Sequence, residues 1–312
     1  MLSEKFDFYS PSNITIKDLD PELQRSLNVV AKLDEFTYRH SQNVSNLCVR
    51  ICQYMNCNNQ FTIHCMVAGF IHDIGKMFIP PEIINKPDRL TDEEYEIVKQ
   101  HTTKGYEFCM KDRNLIPYSD GPWYHHEALD GSGYPRGLKK IDIPYSGQII
   151  RVADEYDALV TKRQYKTHVN ISETLKMLIK DSEPSTTTIA LDSLSQNERN
   201  GKINKKPLKA LFKVVEDDIL YEITSVMKYV EYLQSQIRRF ESIQKYEKKM
   251  LKTKNENTKK YYREGIRLLL QPGETYETYN QLFKEYQDAL TYRKQRIKDL
   301  YKEISIIKHL KL

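Results

Sequence analysis

From residue 219 the apolar positions step by four and three without a break: Ile219, Ile223, Val226, Val230, Leu233, Ile237 and Phe240. That is a heptad seam over three repeats, and a strand, whose side chains alternate every second residue, cannot present it on one face. The phase then slips, with Ile243, Tyr246 and Met250 following at three, three and four, a stammer-like change. Pro272-Gly273 marks a turn. Beyond it Tyr276, Tyr279, Phe283, Tyr286, Leu290, Arg293, Ile297, Leu300, Ile304 and Ile307 form a second seam, with Arg293 its one polar break. Two seams about a Pro-Gly turn predict a helical hairpin or coiled-coil extension over residues 219–312, able to form a homodimer. The competing arrangement is two long helices packed on the main domain.

The chain upstream is also helical in pattern. Val44, Leu47, Cys48 and Ile51 follow the i, i+3, i+4, i+7 rule. Thr91 and Glu94 have the spacing of a capping box, with Leu90 and Tyr95 placed as a hydrophobic staple. No repeated period-2 runs suggest a sheet, so the expectation is an all-α fold. Residues 181–207 are rich in Ser, Thr, Asn and Lys and interrupt the pattern as a mobile insertion. The predicted organisation is an N-terminal arm over 1–20, a helical domain over 21–218 and the extension over 219–312.

Charge supports that division. Residues 1–167 carry a net −3 and residues 168–312 a net +8, as a catalytic domain followed by a basic helical extension would. In the extension the lysines alternate with acids, which fits a solvated coiled coil better than a nucleic-acid surface. Hydrophobic content of 39% is low for a compact domain and a charged fraction of 29% is slightly high, so part of the chain is solvated helix. No apolar run approaches the length of about 18 residues that a membrane helix needs. The start, MLSEKFDFYSPSN, lacks a basic-then-apolar signal. The five cysteines, Cys48, Cys52, Cys57, Cys65 and Cys109, are odd in number and sit in apolar helix-like segments, as reduced core residues of a cytoplasmic protein do.

The eight histidines are placed unevenly. His40 precedes Val44, Leu47 and Ile51 on one helical face. His72 and Asp73 end the apolar run MVAGFIHDIGK, and Asp154 ends another that includes Ile149, Ile150, Val152 and Ala153. His101 shares a stripe with Val98, Gly105 and Phe108. His125 and His126 stand side by side before the loop EALDGSGYP. Singly, an inward histidine is most often a hydrogen-bonded core residue, and an aspartate after an apolar run a helix cap. Together, five inward histidines and two inward aspartates form a set of neutral-imidazole and carboxylate donors suited to divalent ions. Seven ligands exceed the needs of one tetrahedral ion and suit two ions sharing a bridging aspartate. His64, His168 and His309 lack this context and read as surface residues.

His40, the His72-Asp73 pair followed by Lys76, His101, the HHExxDGxGYP run and Asp154 resemble the HD-GYP domain, a subgroup of the HD metal-dependent phosphohydrolases that degrades the second messenger cyclic di-GMP. The resemblance covers roughly residues 20–220, including the segments KPDRLTDEEYEIVKQH and RVADEYDALVTKRQYK. It implies an HD-type helical bundle and a phosphodiesterase that yields linear pGpG, GMP or both through a metal-bridging hydroxide. It implies one ion on His40, His72, Asp73 and Asp154, and another on His101, His125 and His126, with Asp73 shared. The ions expected first are iron or manganese, with zinc, nickel, cobalt or magnesium as further candidates. Lys76 matches the lysine that orients substrate or protonates the leaving oxygen, Arg163 and Lys166 match the phosphate-binding pair, and Tyr134 would line the pocket. Asp130, Gly131 and Gly133 shape the loop.

One departure concerns a third metal. Some members of the family place a glutamate four residues before the first histidine, where this chain has Phe36. Glu35 lies one residue further back, a rotation of about 100° on a helix, so a two-metal site is expected. Competing functions are an HD hydrolase of another nucleotide and a cyclic-dinucleotide sensor signalling through its C-terminal helices. With about 20 residues ahead of the domain, regulatory input is expected from a partner, from the metal state or through those helices.

Overall fold

The computed structural model describes residues 9–164, 171–184, 200–275 and 278–312 and, within these, the side chains of all but 161–164. Among the described residues every regular element is a helix, and the one β contact is an isolated bridge between Asp130 and Lys139. The fold is all-α. It divides into two compact units, one of residues 9–218 with 306–312 and one of residues 219–305.

The first unit holds α1 Pro21–Leu27, α2 Glu35–Tyr54, α3 Asn59–Ile71, α4 Pro81–Ile84, α5 Asp92–Lys99, α6 His101–Cys109, α7 Asp120–Tyr124, α8 Tyr145–Gln164, α9 Ile171–Asp181 and the start of α10 Lys205–Lys252. Local chemistry sets the ends. Asp34 caps α2 by accepting from Thr37 N at 2.9 Å, and Asn58 caps α3 by accepting from Phe61 N at 2.8 Å. The expected Thr91–Glu94 capping box is present at α5. Each such cap stabilises its helix by about 1 kcal/mol. The pattern from Val98 to Phe108 does not make one helix: it breaks at Gln100, and α6 starts anew at His101.

Burial follows the apolar runs. In α3 the residues from 65 to 71 are all buried, because the helix is apolar nearly all round and packs against α2, α7 and α8. Val49, Met66, Val67, Phe70, Ile71, Ile74, Cys109 and Leu115 make a core that also takes in Leu19, Leu27 and Val30. Cys48, Cys52, Cys65 and Cys109 are buried free thiols and Cys57 is half-buried. Residues 9–20 are built into this unit: Ser10 N donates to Asp218 Oδ1 at 2.8 Å, and Ile14 and Ile16 pack on the core.

The described ends of the expected insertion at 181–207 are tied into the first unit. Residues 185–199 lie outside the described residues. Lys202 N donates to Asp181 O at 2.7 Å, Leu129 N donates to Lys202 O at 2.9 Å, and Ile203 is buried. Side chains add to these ties: Lys202 Nζ lies 3.3 Å from Asp181 Oδ1 and Asn204 Nδ2 donates to Gln148 Oε1 at 2.7 Å.

In the second unit, the rest of α10 packs with α11 Glu256–Leu269 and α12 Tyr279–His309. Contacts pair low numbers on α10 with high numbers on α12: Arg296 with Glu222 at 2.8 Å, Tyr232 with Tyr286, and Phe240 with Phe283 and Tyr279. The two seam helices are therefore antiparallel. They do not form a simple hairpin, since α11 stands between them, capped by Asn255 on Thr258 N at 3.1 Å. Fourteen residues are too few to show as a heptad seam, and Ile266 is the one fully buried side chain on that helix. Arg293 answers for its place in the seam by stacking its guanidinium 5.4 Å from the Tyr229 ring centre. Tyr276 lies outside the described residues.

Candidate metal centre

Five elements of the first unit deliver the histidines and aspartates to one place. His40 comes from α2, His72 and Asp73 from the end of α3, His101 from the start of α6, His125 and His126 from just past α7, and Asp154 from α8. All but the half-buried His126 are buried. They form two groups, His40 with His72 and Asp73, and His101 with His125 and His126, each with ligand atoms within 4.8 Å of one another. Asp73 faces both. Its Oδ2 is 3.7 Å from His40 Nε2 and 3.3 Å from His72 Nε2, while Oδ1 is 3.5 Å from His101 Nε2 and 4.0 Å from His125 Nε2. Asp154 Oδ1 joins the first group at 3.0 Å from His40 Nε2 and 3.8 Å from His72 Nε2.

The second ring nitrogens show what this cluster fits. His72 Nδ1 donates to Gly69 O at 2.7 Å, His101 Nδ1 to Val98 O at 2.6 Å and His125 Nδ1 to Gly121 O at 2.9 Å. A proton on Nδ1 leaves a lone pair on each Nε2. Those lone pairs converge: His101 Nε2 stands 3.1 Å from His125 Nε2, and His72 Nε2 is buried with no hydrogen-bond partner. A buried atom left so costs about 1–3 kcal/mol, and two facing lone pairs repel. A divalent cation answers both, and backbone carbonyls orienting the far nitrogens are the usual support of ligand histidines. Burial, reinforced by the neighbouring imidazoles, pushes His125 and His126 well below the ordinary histidine value; burial with Lys76 nearby lowers His101. All three are held neutral, the ligating form. Burial raises Asp73, but the Lys76 ammonium, 2.5 Å from Oδ2, and His72 outweigh it and hold the carboxyl well below its usual range. The donor set fits two first-row divalent ions.

A family model described as "HD domain" matches residues 26–185, just over half the chain. The chain belongs to the HD-GYP family of HD-domain proteins. A cyclic di-GMP phosphodiesterase of Thermotoga maritima is 41% identical over 158 residues, which are 50% of this chain and 43% of that protein. The 3'3'-cGAMP-specific phosphodiesterase 1 of Vibrio cholerae is 34% identical over 151 residues, 48% of this chain and 35% of that one. The chain thus spans less than half the length of these curated relatives. Among solved structures, the HD domain of the L. monocytogenes phosphodiesterase PgpH in complex with cyclic-di-AMP is 22% identical, covering 61% of this chain and 92% of that one at a TM-score of 0.44.

The loop that gives the HD-GYP family its name is fastened to the histidines. Tyr134 N donates to His126 O at 3.1 Å, and the Tyr134 ring stacks on the His126 ring at 4.6 Å. Gly131 has φ +86°, which a side chain resists, and a Cβ at Gly133 would meet Ala128 N at 2.2 Å. Glu127, which sequence reasoning passed over, is buried and accepts from Arg136 N at 2.9 Å and Leu138 N at 2.8 Å, closing the loop from beneath.

Asp157 was also missed. It is fully buried, and its Oδ2 lies 2.6 Å from His40 Nδ1. It does for His40 what carbonyls do for the rings of His72, His101 and His125. It lies three residues after Asp154, on the same face of α8.

Three expectations are corrected or left open by position. Glu35 pairs with Arg39 at 3.4 Å on the exposed surface, and Phe36 is exposed beside it. The Arg163 side chain, Lys166 and His168 lie outside the described residues. His64 is not a surface residue: it is half-buried, with Nε2 2.8 Å from Asp120 Oδ2 and its ring stacked 6.3 Å from Phe61. Its partners come from α7 and α3, so the sequence around it gives no hint of enclosure.

Proposed function

We propose that this HD-GYP chain is a metal-dependent phosphodiesterase that hydrolyses cyclic di-GMP to linear pGpG, GMP or both. The observation that carries the reading is the pair of histidine groups with one aspartate, Asp73, facing both. His40, His72, Asp73 and Asp154 would hold one ion, and His101, His125, His126 and the other oxygen of Asp73 a second. Two such ions, when bound, supply a water of lowered pKa and positive charge at the attacked phosphate.

The chain's own groups do the rest. Lys76 donates to Asp73 Oδ2 at 2.5 Å, and against the opposing effect of burial Asp73 holds it charged. It would orient the substrate or give its proton to the leaving oxygen. Tyr134 forms a wall beside His126, and the Lys99 ammonium lies 4.9 Å from the Tyr95 ring centre and 5.6 Å from that of Tyr134. Arg163 and Lys166 hold the guanylate phosphates, the first as a planar fork and the second as a point charge. The names of the relatives support a cyclic dinucleotide as substrate and leave 3'3'-cGAMP as the comparison substrate.

The test is elemental analysis of protein prepared without chelator, with turnover of cyclic di-GMP and 3'3'-cGAMP followed by chromatography. Fewer than two ions per chain after reconstitution, or no turnover of either dinucleotide, overturns the reading. Arg163→Ala should raise KM about tenfold or more, the worth of a charged hydrogen bond, at unchanged metal content. Unchanged turnover at low substrate would remove Arg163 from the pocket.

The second unit is proposed to join two copies of the chain. Leu251 and Leu268 stand 76% and 80% exposed, and a second copy would cover them. Sedimentation equilibrium at tens of micromolar decides it, and a monomer there rules the dimer out.

A further inference from the structure

Asp157 is reached from outside the matched family region, which begins at residue 26. The Tyr9 hydroxyl donates to Asp157 Oδ1 at 2.6 Å, and Asn43 Nδ2 donates to the same oxygen at 3.0 Å. The other oxygen, Oδ2, is the one at His40 Nδ1, 2.6 Å away. Donors on Oδ1 fix the plane of the carboxyl group and so fix where Oδ2 points. His40 in turn aims Nε2 at Asp154 and Asp73.

Tyr9 is itself anchored. The next residue donates from Ser10 N to Asp218 Oδ1 at 2.8 Å and accepts at Ser10 O from Asn46 Nδ2 at 3.2 Å. Burial and the adjacent Asp157 push the Tyr9 phenol well above its ordinary value, so it stays a donor. A route of hydrogen bonds therefore runs from the N-terminal segment through Asp157 to a ligand histidine, and among the described residues it enters the metal centre at His40.

We infer that Tyr9 is a positioning residue for the ion held by His40, His72, Asp73 and Asp154, acting through Asp157. The inference rests on the reading of those four residues as ligands. A tyrosine serving only to staple the N-terminal segment would affect both halves alike, or neither. A positioning tyrosine affects the His40 half and leaves the three-histidine half as it was.

The experiment is a titration of metal-free full-length protein with Co2+, following its ligand-field absorption, which resolves two binding steps. Asp157→Asn should weaken one step by about 10–100-fold, the usual cost of losing a partner of a ligand histidine, and so identifies that step as the His40 half. Should Asp157→Asn fail to fold, His40→Ala identifies the step instead. Tyr9→Phe keeps the ring and removes the hydroxyl. It should weaken the same step by about threefold to tenfold, less than the direct partner does, and leave the other step unchanged. In the double variant the Tyr9 effect should vanish, since groups acting in series are not additive. Tyr9→Phe with wild-type affinity at both steps overturns the inference, as does an equal loss at both or an additive double variant. Wild-type protein that takes up no Co2+ sinks the metal reading and the inference with it, whereas normal wild-type uptake with an unchanged Tyr9→Phe sinks the inference alone.

Discussion

In the unit of residues 9–218 the fully enclosed side chains include His125, Thr102 and Asp157; in the unit of 219–305 they include Leu233, Phe240 and Ile243. Both units are helical and both bury stripes of residues at helical spacing. The first places imidazoles and carboxyls at the ends of those stripes, where desolvation is costly unless something compensates. The second fills its seam with aliphatic and aromatic groups and pairs its partly buried charges with each other, Arg239 with Glu274 and Arg296 with Glu222. The lesson is that burial serves two ends in one chain. In one unit it makes lone pairs available to a cation, and in the other it holds helices together.

The strongest test of that division is Asp73→Ala. The aspartate faces both histidine groups, so its loss should release both ions and lower turnover by about a thousandfold or more, the several kcal/mol that a metal site supplies. Far-UV circular dichroism should keep the helical signal of both units. Retention of a full ion complement by Asp73→Ala would break the comparison at its first term, because the first unit's buried carboxyl would then be serving packing.

Phe240→Ala probes the other term. Phe240 is fully buried and packs against Tyr279, Phe283 and Tyr286 at ring distances of 5.7–6.2 Å. Truncation should destabilise by about 3–5 kcal/mol, visible as an early transition in a urea melt. Metal content should remain at the wild-type value. A Phe240→Ala protein that loses its ions would show that the two kinds of burial are not separable.

The division also explains what could be read in advance. His40, His72, Asp73 and Asp154 begin or close an apolar stripe, His101 lies within one, and His125 and His126 stand out as an adjacent pair, so each was visible as a polar residue in the wrong place, and the structure brings them together. The seam helices were visible because a heptad repeat is a local property. Asp157 was not visible, since its reason for being buried is His40, 117 residues away. Nor was α11, whose Gly265 sits where a side chain would meet the Tyr246 ring at 2.8 Å. A glycine chosen for close approach looks, in sequence, like a weak helix. His64 failed in the same manner, since it reads as exposed until Asp120 and Tyr118 are folded against it.

That histidine gives the smallest effect and a way to sharpen the contrast. The hydrogen bond to Asp120 raises the His64 pKa above its ordinary value, against the opposing influence of burial. A histidine raised in the folded state binds its proton more tightly there than in the unfolded chain. Its contribution is therefore complete below about pH 6.5, the unfolded value, and is lost as pH climbs through the folded value. Because the side chain is 29% exposed, solvent screens the pair and the contribution should stay under about 1 kcal/mol. Urea melts at pH 6 and pH 9 measure it as the difference between wild type and His64→Gln. The first unit's transition should show that difference at pH 6 and little of it at pH 9, while the second unit's transition shows none at either. An equal difference at both pH values would mean that His64 contributes packing alone, and that this part of the first unit is held together in the manner of the second.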